Sequence, residues 1–401
     1  MMVLFYTKKI WYTIYTRVCI MKKLSRKKIQ KILKVLAKKI PFRKRKSLRI
    51  DIAYIVYALA ALIFLLAIFL FVWFNQSRFI TGEKENYTID MLVKQAYSEL
   101  EEEQCEIRQI LSGECVETKE DIHKEFVVVV VENHIDALPL SGIQDASIIY
   151  EFPVESDIPR LLAIFPIDID VEKVGPVRSA RPYFLDTLYE YGNPMLMHVG
   201  GSPESLLRIK DEPLFTINEF FRSWYFWRSK KRYAPHNTYT SSKLWQSAHE
   251  RYGKEQDVST ITPWKFKTVQ PCESECVTFI DFDYFYKHEW HYSSNTNNYV
   301  REQFRRPYID DKTEQVVADT IIVQYAETRV LDAVGRLRLD MLGSGKALVF
   351  TGGKVVEATW KRDGLASRTQ WLDAFGEEIL LNPGKIWIEV VSRTKGKVVY
   401  N

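Results

Sequence analysis

The first fifty residues contain no aspartate or glutamate, yet they hold seventeen lysines and arginines. Through Asp51 the balance is +16, and because the 401-residue chain carries only +5, the remainder is −11. A basic start joined to an acidic body calls for two environments. Charge is then missing altogether from residues 52–74, "IAYIVYALAALIFLLAIFLFVWF". At ~1.5 Å per residue, a helix of that length crosses a hydrocarbon core of ~30 Å. Tyr54 and Trp73 near its ends suit the interfacial aromatic belts. The following "NQSRFITG" has no small-x-small cleavage site, which argues against a removable signal peptide. It has no cysteine either, which excludes lipid attachment at that point.

Orientation follows from the flanks. Lysine and arginine crowd the N-terminal side, while Arg78 and Lys84 are balanced by Glu83 and Glu85. The expectation is a single-pass bacterial membrane protein with residues 1–51 in the cytoplasm and 75–401 outside. Ile29, Ile32, Leu33, Leu36 and Ile40 recur at helical spacing among lysines, as in an amphipathic helix lying on the anionic inner leaflet. The same charges lack aromatic interleaving and a recognition motif, so no nucleic-acid partner is expected.

Cysteine is scarce, five in all. Cys19 falls on the cytoplasmic side, whereas Cys105 with Cys115, and Cys272 with Cys276, form two local pairs on the oxidising side, where disulfides persist. Their spacings match no common zinc ribbon. The seven histidines make no H-x-H or H-E-x-x-H pattern, so neither a metal nor a cofactor is implied.

Internal repeats and low-complexity linkers are also missing, and the rest of the chain reads as α+β. Apolar residues between Thr88 and Ser112 recur at helical spacing, giving a helical stalk within 75–124. Residues 125–262 alternate strands ("FVVVVVENH", "ASIIYEFPVE", "RLLAIFPI", "PMLMHV") with helices after Pro182 and Pro203 and near Ser241, an α/β-type mixed domain. Residues 263–401 are short strands joined by turns, among them a hairpin at Gly352-Gly353, hence a β-rich domain.

Chemistry concentrates in the first of these domains. "GPVRSARPYF" sets Arg178 and Arg181 three residues apart at a helix entrance, with Ser179 between. In "MHVGGSPES", Ser202 can N-cap a helix opened by Pro203, and the N–H groups of Gly200, Gly201 and Ser202 can face an anion beside the helix dipole. Pro203 removes the N–H that a hydrolase elbow would use, so Ser202 is a poor nucleophile. Glu151 and Glu155, four apart on a presumed strand, would share a face and either act as acid–base groups or pair with Arg160, Arg178 or Arg181. His198 and His236 are the histidines available for proton transfer. Trp224 and Trp227, in "FFRSWYFWRS", read as core residues before sugar-stacking ones.

Together, "LPLSGIQDASIIYEFPVESDIPRLLAIF", "VGPVRSARPYFLDTLYEYG", "MHVGGSPES" and "RYAPHNTYT", followed by "YVREQFRRPYIDD" and "GSGKALVFTGGKVVEATWKRD", resemble the YerB family of bacterial membrane-associated proteins. The resemblance covers roughly residues 126–401 and implies an outward-facing envelope protein, described in that family as lipidated, with no established reaction. It carries over Glu151, Glu155, Arg160, Arg178, Ser179, Arg181, His198, Gly200, Gly201, Ser202, Arg232, His236 and Asn237. At Asp157-Ile158-Pro159 this chain departs from the glycines that relatives place before the arginine.

The leading expectation is therefore a binder of an anionic envelope ligand, a phosphate or carboxylate of a wall polymer, with Arg178 and Arg181 as bidentate clamps. Arg160, Ser179, Gly200, Gly201, Ser202, Arg232 and Asn237 complete the ligand-binding set. The alternatives are a wall hydrolase or transferase working through Glu151 or Glu155 with His198 or His236, and a scaffold that binds an envelope protein.

Overall fold

Five consecutive valines make β1 (Phe126–Glu132) a strand buried along its whole length, as befits a strand covered on both faces. The computed structural model describes residues 105–401, except 106, 123, 254, 255, 257, 259, 260, 284 and 285. After β1 come β2 (Ile148–Pro153), β3 (Pro159–Pro166), α1 (Pro182–Tyr189), β4 (Met195–His198), α2 (Pro203–Asp211), β5 (Thr216–Asn218), the short pair β6 (Trp227–Arg228) and β7 (Thr238–Tyr239), and α3 (Ser242–Tyr252). The second half holds β8 (Phe279–Phe282), β9 (His288–Ser293), β10 (Asn298–Gln303), β11 (Arg306–Pro307), β12 (Val317–Ala318), β13 (Thr320–Val330), β14 (Leu337–Asp340), β15 (Gly343–Thr351), β16 (Lys354–Arg362), β17 (Gln370–Leu372), β18 (Ile386–Ser392) and β19 (Val398–Tyr400).

Eleven of these strands form one sheet in the order β17-β16-β15-β13-β18-β2-β3-β1-β4-β5, with β14 added beside β13. The join between the halves is parallel, Ile386 to Glu389 of β18 pairing with Ile148 to Glu151 of β2. Strands β13, β18 and β2 run parallel, as do β1, β4 and β5. Because β3 is antiparallel to both β2 and β1, all six point the same way. Their C-terminal ends therefore share one edge, where open parallel sheets leave room for ligands. Alternate residues of β1 feed opposite cores: Val128 and Val130 pack with Phe184 and Leu188 of α1, Val127 and Val129 with Trp245 of α3 and with Trp290 and Tyr299 of a second, six-stranded sheet (β11-β10-β9-β8-β19, with β12 beside β10).

Several expectations are corrected here. The described chain is mostly β-sheet with three short helices, so the α+β reading, with an α/β-type domain in its first half, does not hold. Runs such as "SIIYEF" and "IWIEVV" lack the in–out alternation of half-solvated strands, and they sit side by side at the centre of one sheet. The described part of the expected stalk is not helical either. Arg108 pairs with Cys115 across a turn, the Cys105–Cys115 disulfide closes it, and Ile110 and Leu111 are buried in the main core. Among the described residues no helix is long and apolar enough to cross a membrane. The apolar run at 52–74 and the basic segment at 1–51 lie outside the described residues. The second disulfide, Cys272–Cys276, is formed as the spacing predicts. The hairpin at Gly352-Gly353 is also present, both glycines taking positive φ between β15 and β16. A Cβ on Gly353 would come within 2.3 Å of the Tyr292 ring.

Candidate functional site

The segment "GPVRSAR" is held as an extra extended strand at the common sheet edge. The Pro176 carbonyl accepts from Glu132 N–H, Val177 N–H donates to Thr238, Arg178 N–H to Val130, and Ala180 N–H to Gly200. Gly175 makes the entry possible: its φ is +141°, and a Cβ there would meet Val177 N at 2.8 Å and the Thr238 carbonyl at 2.9 Å. Pro182 then opens α1, with Arg181 as its extended N-cap residue.

This strand gathers three guanidiniums. Arg181 grips Glu155 with Nε on Oε1 at 2.8 Å and Nη2 on Oε2 at 2.6 Å, a bidentate pair. Burial would raise Glu155, but Arg181 outweighs it and holds the carboxyl below its usual range. Arg178 lies against Glu132, Nε to Oε1 at 3.0 Å. Arg160 and Arg181 both donate to the Ser179 carbonyl, at 3.0 and 3.4 Å. Arg160 is 6% exposed and has no carboxylate partner among the described residues. Burial, then the neighbouring Arg181 and Arg178, pull its pKa down, so its positive charge is held at a cost. The second oxygen of Glu132 accepts from His236 Nδ1 at 2.8 Å. Three cations thus face two carboxylates around Ser179.

Other expected residues do different work. Glu151 and Glu155 do not share a strand face, because β2 ends at Pro153 and Glu155 begins a tight turn in which Ser156 and Asp157 take positive φ. Gly200 N–H donates to Asn218 Oδ1 and Ser202 N–H to the Ala180 carbonyl, so those two donors are spent inside the fold. Ser202 does cap α2, accepting from Ser205 N–H. His198 is fully buried beside the Gly200 carbonyl, 2.7 Å from Nδ1, and burial pulls it down to about 4. Arg232 clamps the carbonyls of Ala137 and Pro139, and Asn237 accepts from Arg228. Trp224 and Trp227 are not core residues: they are 56% and 36% exposed, beside Phe220 and Phe221 at 66% and 77%.

A second polar centre was not foreseen. Arg301 of β10, wholly buried, reaches Glu151 at 2.9 Å and Glu389 at 3.0 Å and stacks among Trp290, Tyr308 and Trp387. Glu389 Oε1 also takes His288 Nε2 at 3.1 Å and Trp290 Nε1 at 3.2 Å. Trp387 Nε1 and Asn133 Nδ2 donate to Glu151. Burial pushes Glu151 up against the pull of Arg301; burial would also raise Glu389, but His288 and Arg301 outweigh it and bring it down. A cavity of about 270 Å³ opens over this network, lined in part by Glu151, Glu389, His288, Asp157 and Asp283. The available signal was a glutamate inside a buried run, in "IIYEF" and again in "IWIEVV", since a buried charge needs a partner.

The comparisons agree with this architecture. Two family models match, the N-terminal domain of a protein of unknown function (DUF3048) over residues 111–255 and its C-terminal domain over 279–388. The chain is 32% identical over 281 residues to "Putative lipoprotein YerB" of Bacillus subtilis (strain 168), covering 66% of this chain and 80% of that protein. It is also similar to the crystal structure of the YerB protein from Bacillus subtilis, with a TM-score of 0.64 at 28% identity, covering 73% of this chain and all of that one. The chain belongs to the DUF3048 family, the family of YerB.

Proposed function

We propose that this is an outward-facing, membrane-associated envelope protein that binds an anionic group of a wall polymer, a phosphate or carboxylate, at Arg160, Arg178 and Arg181. One observation carries the reading: Arg160 and Arg181 meet at the Ser179 carbonyl, Arg178 lies next to Ser179 in the chain against Glu132, and these three guanidiniums face two carboxylates, with buried Arg160 having none of its own among the described residues. An incoming oxyanion relieves that imbalance, and guanidinium forks match its geometry better than a point charge would. The position supports it, at the C-terminal edge of parallel strands. The lipoprotein name of the relative supports the envelope setting.

The test is titration of the purified full chain with phosphate-bearing and carboxylate-bearing wall fragments. A charge-assisted hydrogen bond contributes about 1.5–3 kcal/mol, so Arg178→Lys is expected to weaken binding roughly tenfold or more. Affinity in Arg178→Lys and Arg178→Ala unchanged from that of the unsubstituted chain overturns the reading.

A further inference from the structure

Just beyond β1 the chain turns through Ile135–Ala137, and His134 and Asp136 come to lie against His236 from a loop a hundred residues later. One donor atom from each of His134, Asp136 and His236 lies within 4.8 Å of the other two. His134 Nδ1 and Asp136 Oδ2 stand 3.5 Å apart. Two ligands bound at ~2.0–2.1 Å to a tetrahedral ion stand about 3.3 Å apart, so this pair is close to bridging distance.

Glu132 supplies the second observation. Its carboxylate, 4% exposed, takes His236 Nδ1 at 2.8 Å on one oxygen and Arg178 on the other. A carboxylate only accepts, so the Nδ1 facing it carries the proton, and in the neutral ring the lone pair available to an ion is that of Nε2. A carboxylate behind a histidine in this way is the usual support of a metal-bound imidazole. The two imidazole rings are stacked, 5.1 Å between centroids and 22° between planes. Asp136 is largely exposed and the histidines partly so, which leaves coordination positions open to water or to an anion. The buried Glu151, His288 and Glu389 also lie close together, but the Arg301 guanidinium between the two carboxylates already supplies the cation there.

We propose that His134, Asp136 and His236 form a site for a divalent first-row transition ion, with Glu132 as the group that orients His236. Two imidazole nitrogens and one carboxylate oxygen suit zinc, iron(II) or cobalt(II) more than magnesium or calcium. Binding costs the 3.2 Å contact between Asp136 N–H and His134 Nδ1, which the ion replaces. The sequence hides the site because its ligands sit in two segments that match no local motif. The proposal stands apart from the anion reading, since the ion alone is the probe.

The experiment uses the full chain without an affinity tag, stripped with chelator and titrated with Co²⁺ by absorption spectroscopy and with Zn²⁺ by calorimetry. One equivalent is expected to bind with the visible bands of a low-coordinate Co²⁺ centre. Asp136→Asn and His134→Gln are expected to weaken binding at least tenfold, and Glu132→Gln by ten- to a hundredfold. His291→Gln, on the second sheet, should change nothing. Asp136 is exposed, so its substitution leaves the fold intact, and far-UV circular dichroism checks the others. Absence of a one-to-one Co²⁺ spectrum, or unaltered affinity in Asp136→Asn and His134→Gln, overturns the proposal.

Discussion

Arg160 separates a binding role from a packing role. Its charge is buried against two other guanidiniums and has no carboxylate partner among the described residues, so an apolar side chain of similar length removes a repulsion and strands no opposite charge. Arg160→Met is therefore expected to leave the urea midpoint unchanged or raised while weakening anion binding about tenfold. A stability loss above roughly 2 kcal/mol would make Arg160 a structural residue instead. His198 gives a pH signature. Burial holds it at about 4 in the folded state against an ordinary value of 6.5, so between those values the unfolded chain binds more protons. Stability is then fully present above pH 6.5 and falls as the pH drops towards 4, by about 3 kcal/mol. Unfolding curves at pH 7 and pH 4.5 should show that loss and His198→Gln should reduce it; an equal loss in the variant assigns the slope elsewhere. The motif residues around Arg178 and His198 were legible in the sequence. Their partners were not, because Glu132 lies 46 residues before Arg178 and 104 before His236, and nothing local ties such positions together.

At the scale of elements, strands were easier to read than their arrangement. "FVVVVVE" and the Gly352-Gly353 hairpin carry their own signals in continuous apolar runs and in a turn that demands positive φ. In its described part the stretch before them misled, because apolar residues at helical spacing also arise in a closed turn whose Ile110 and Leu111 plug a core. The cysteines were the better guide. Cys105–Cys115 closes a ten-residue separation, for which chain-entropy arguments give a stabilisation of about 2–3 kcal/mol. The double variant Cys105→Ser/Cys115→Ser should lower stability by up to that amount, read by chemical denaturation under non-reducing conditions. No change would mean that the buried Ile110 and Leu111 fix the turn unaided.

At the scale of the whole described region, two sheets and both family-model segments are locked by one arginine. Arg301 leaves the second sheet and neutralises a carboxylate on each of two neighbouring strands of the first, Glu151 on β2 and Glu389 on β18. Neither half of the chain contains the full set, so the network exists only once β18 has paired with β2. Removing one partner from such a buried set leaves uncompensated charge, at a cost of about 3–5 kcal/mol. Arg301→Met should fall in that range, and it should also loosen the stacking with Trp290, Tyr308 and Trp387. Adding Glu151→Gln and Glu389→Gln to Arg301→Met removes the stranded charges and should recover part of the loss, which a simple packing defect would not allow. Because the large sheet draws strands from both segments, each variant should still unfold in a single transition by fluorescence and circular dichroism. Two separated transitions in Arg301→Met would show that the shared sheet does not couple the halves without this arginine, and a triple variant no more stable than the single one would make the loss a packing defect rather than stranded charge.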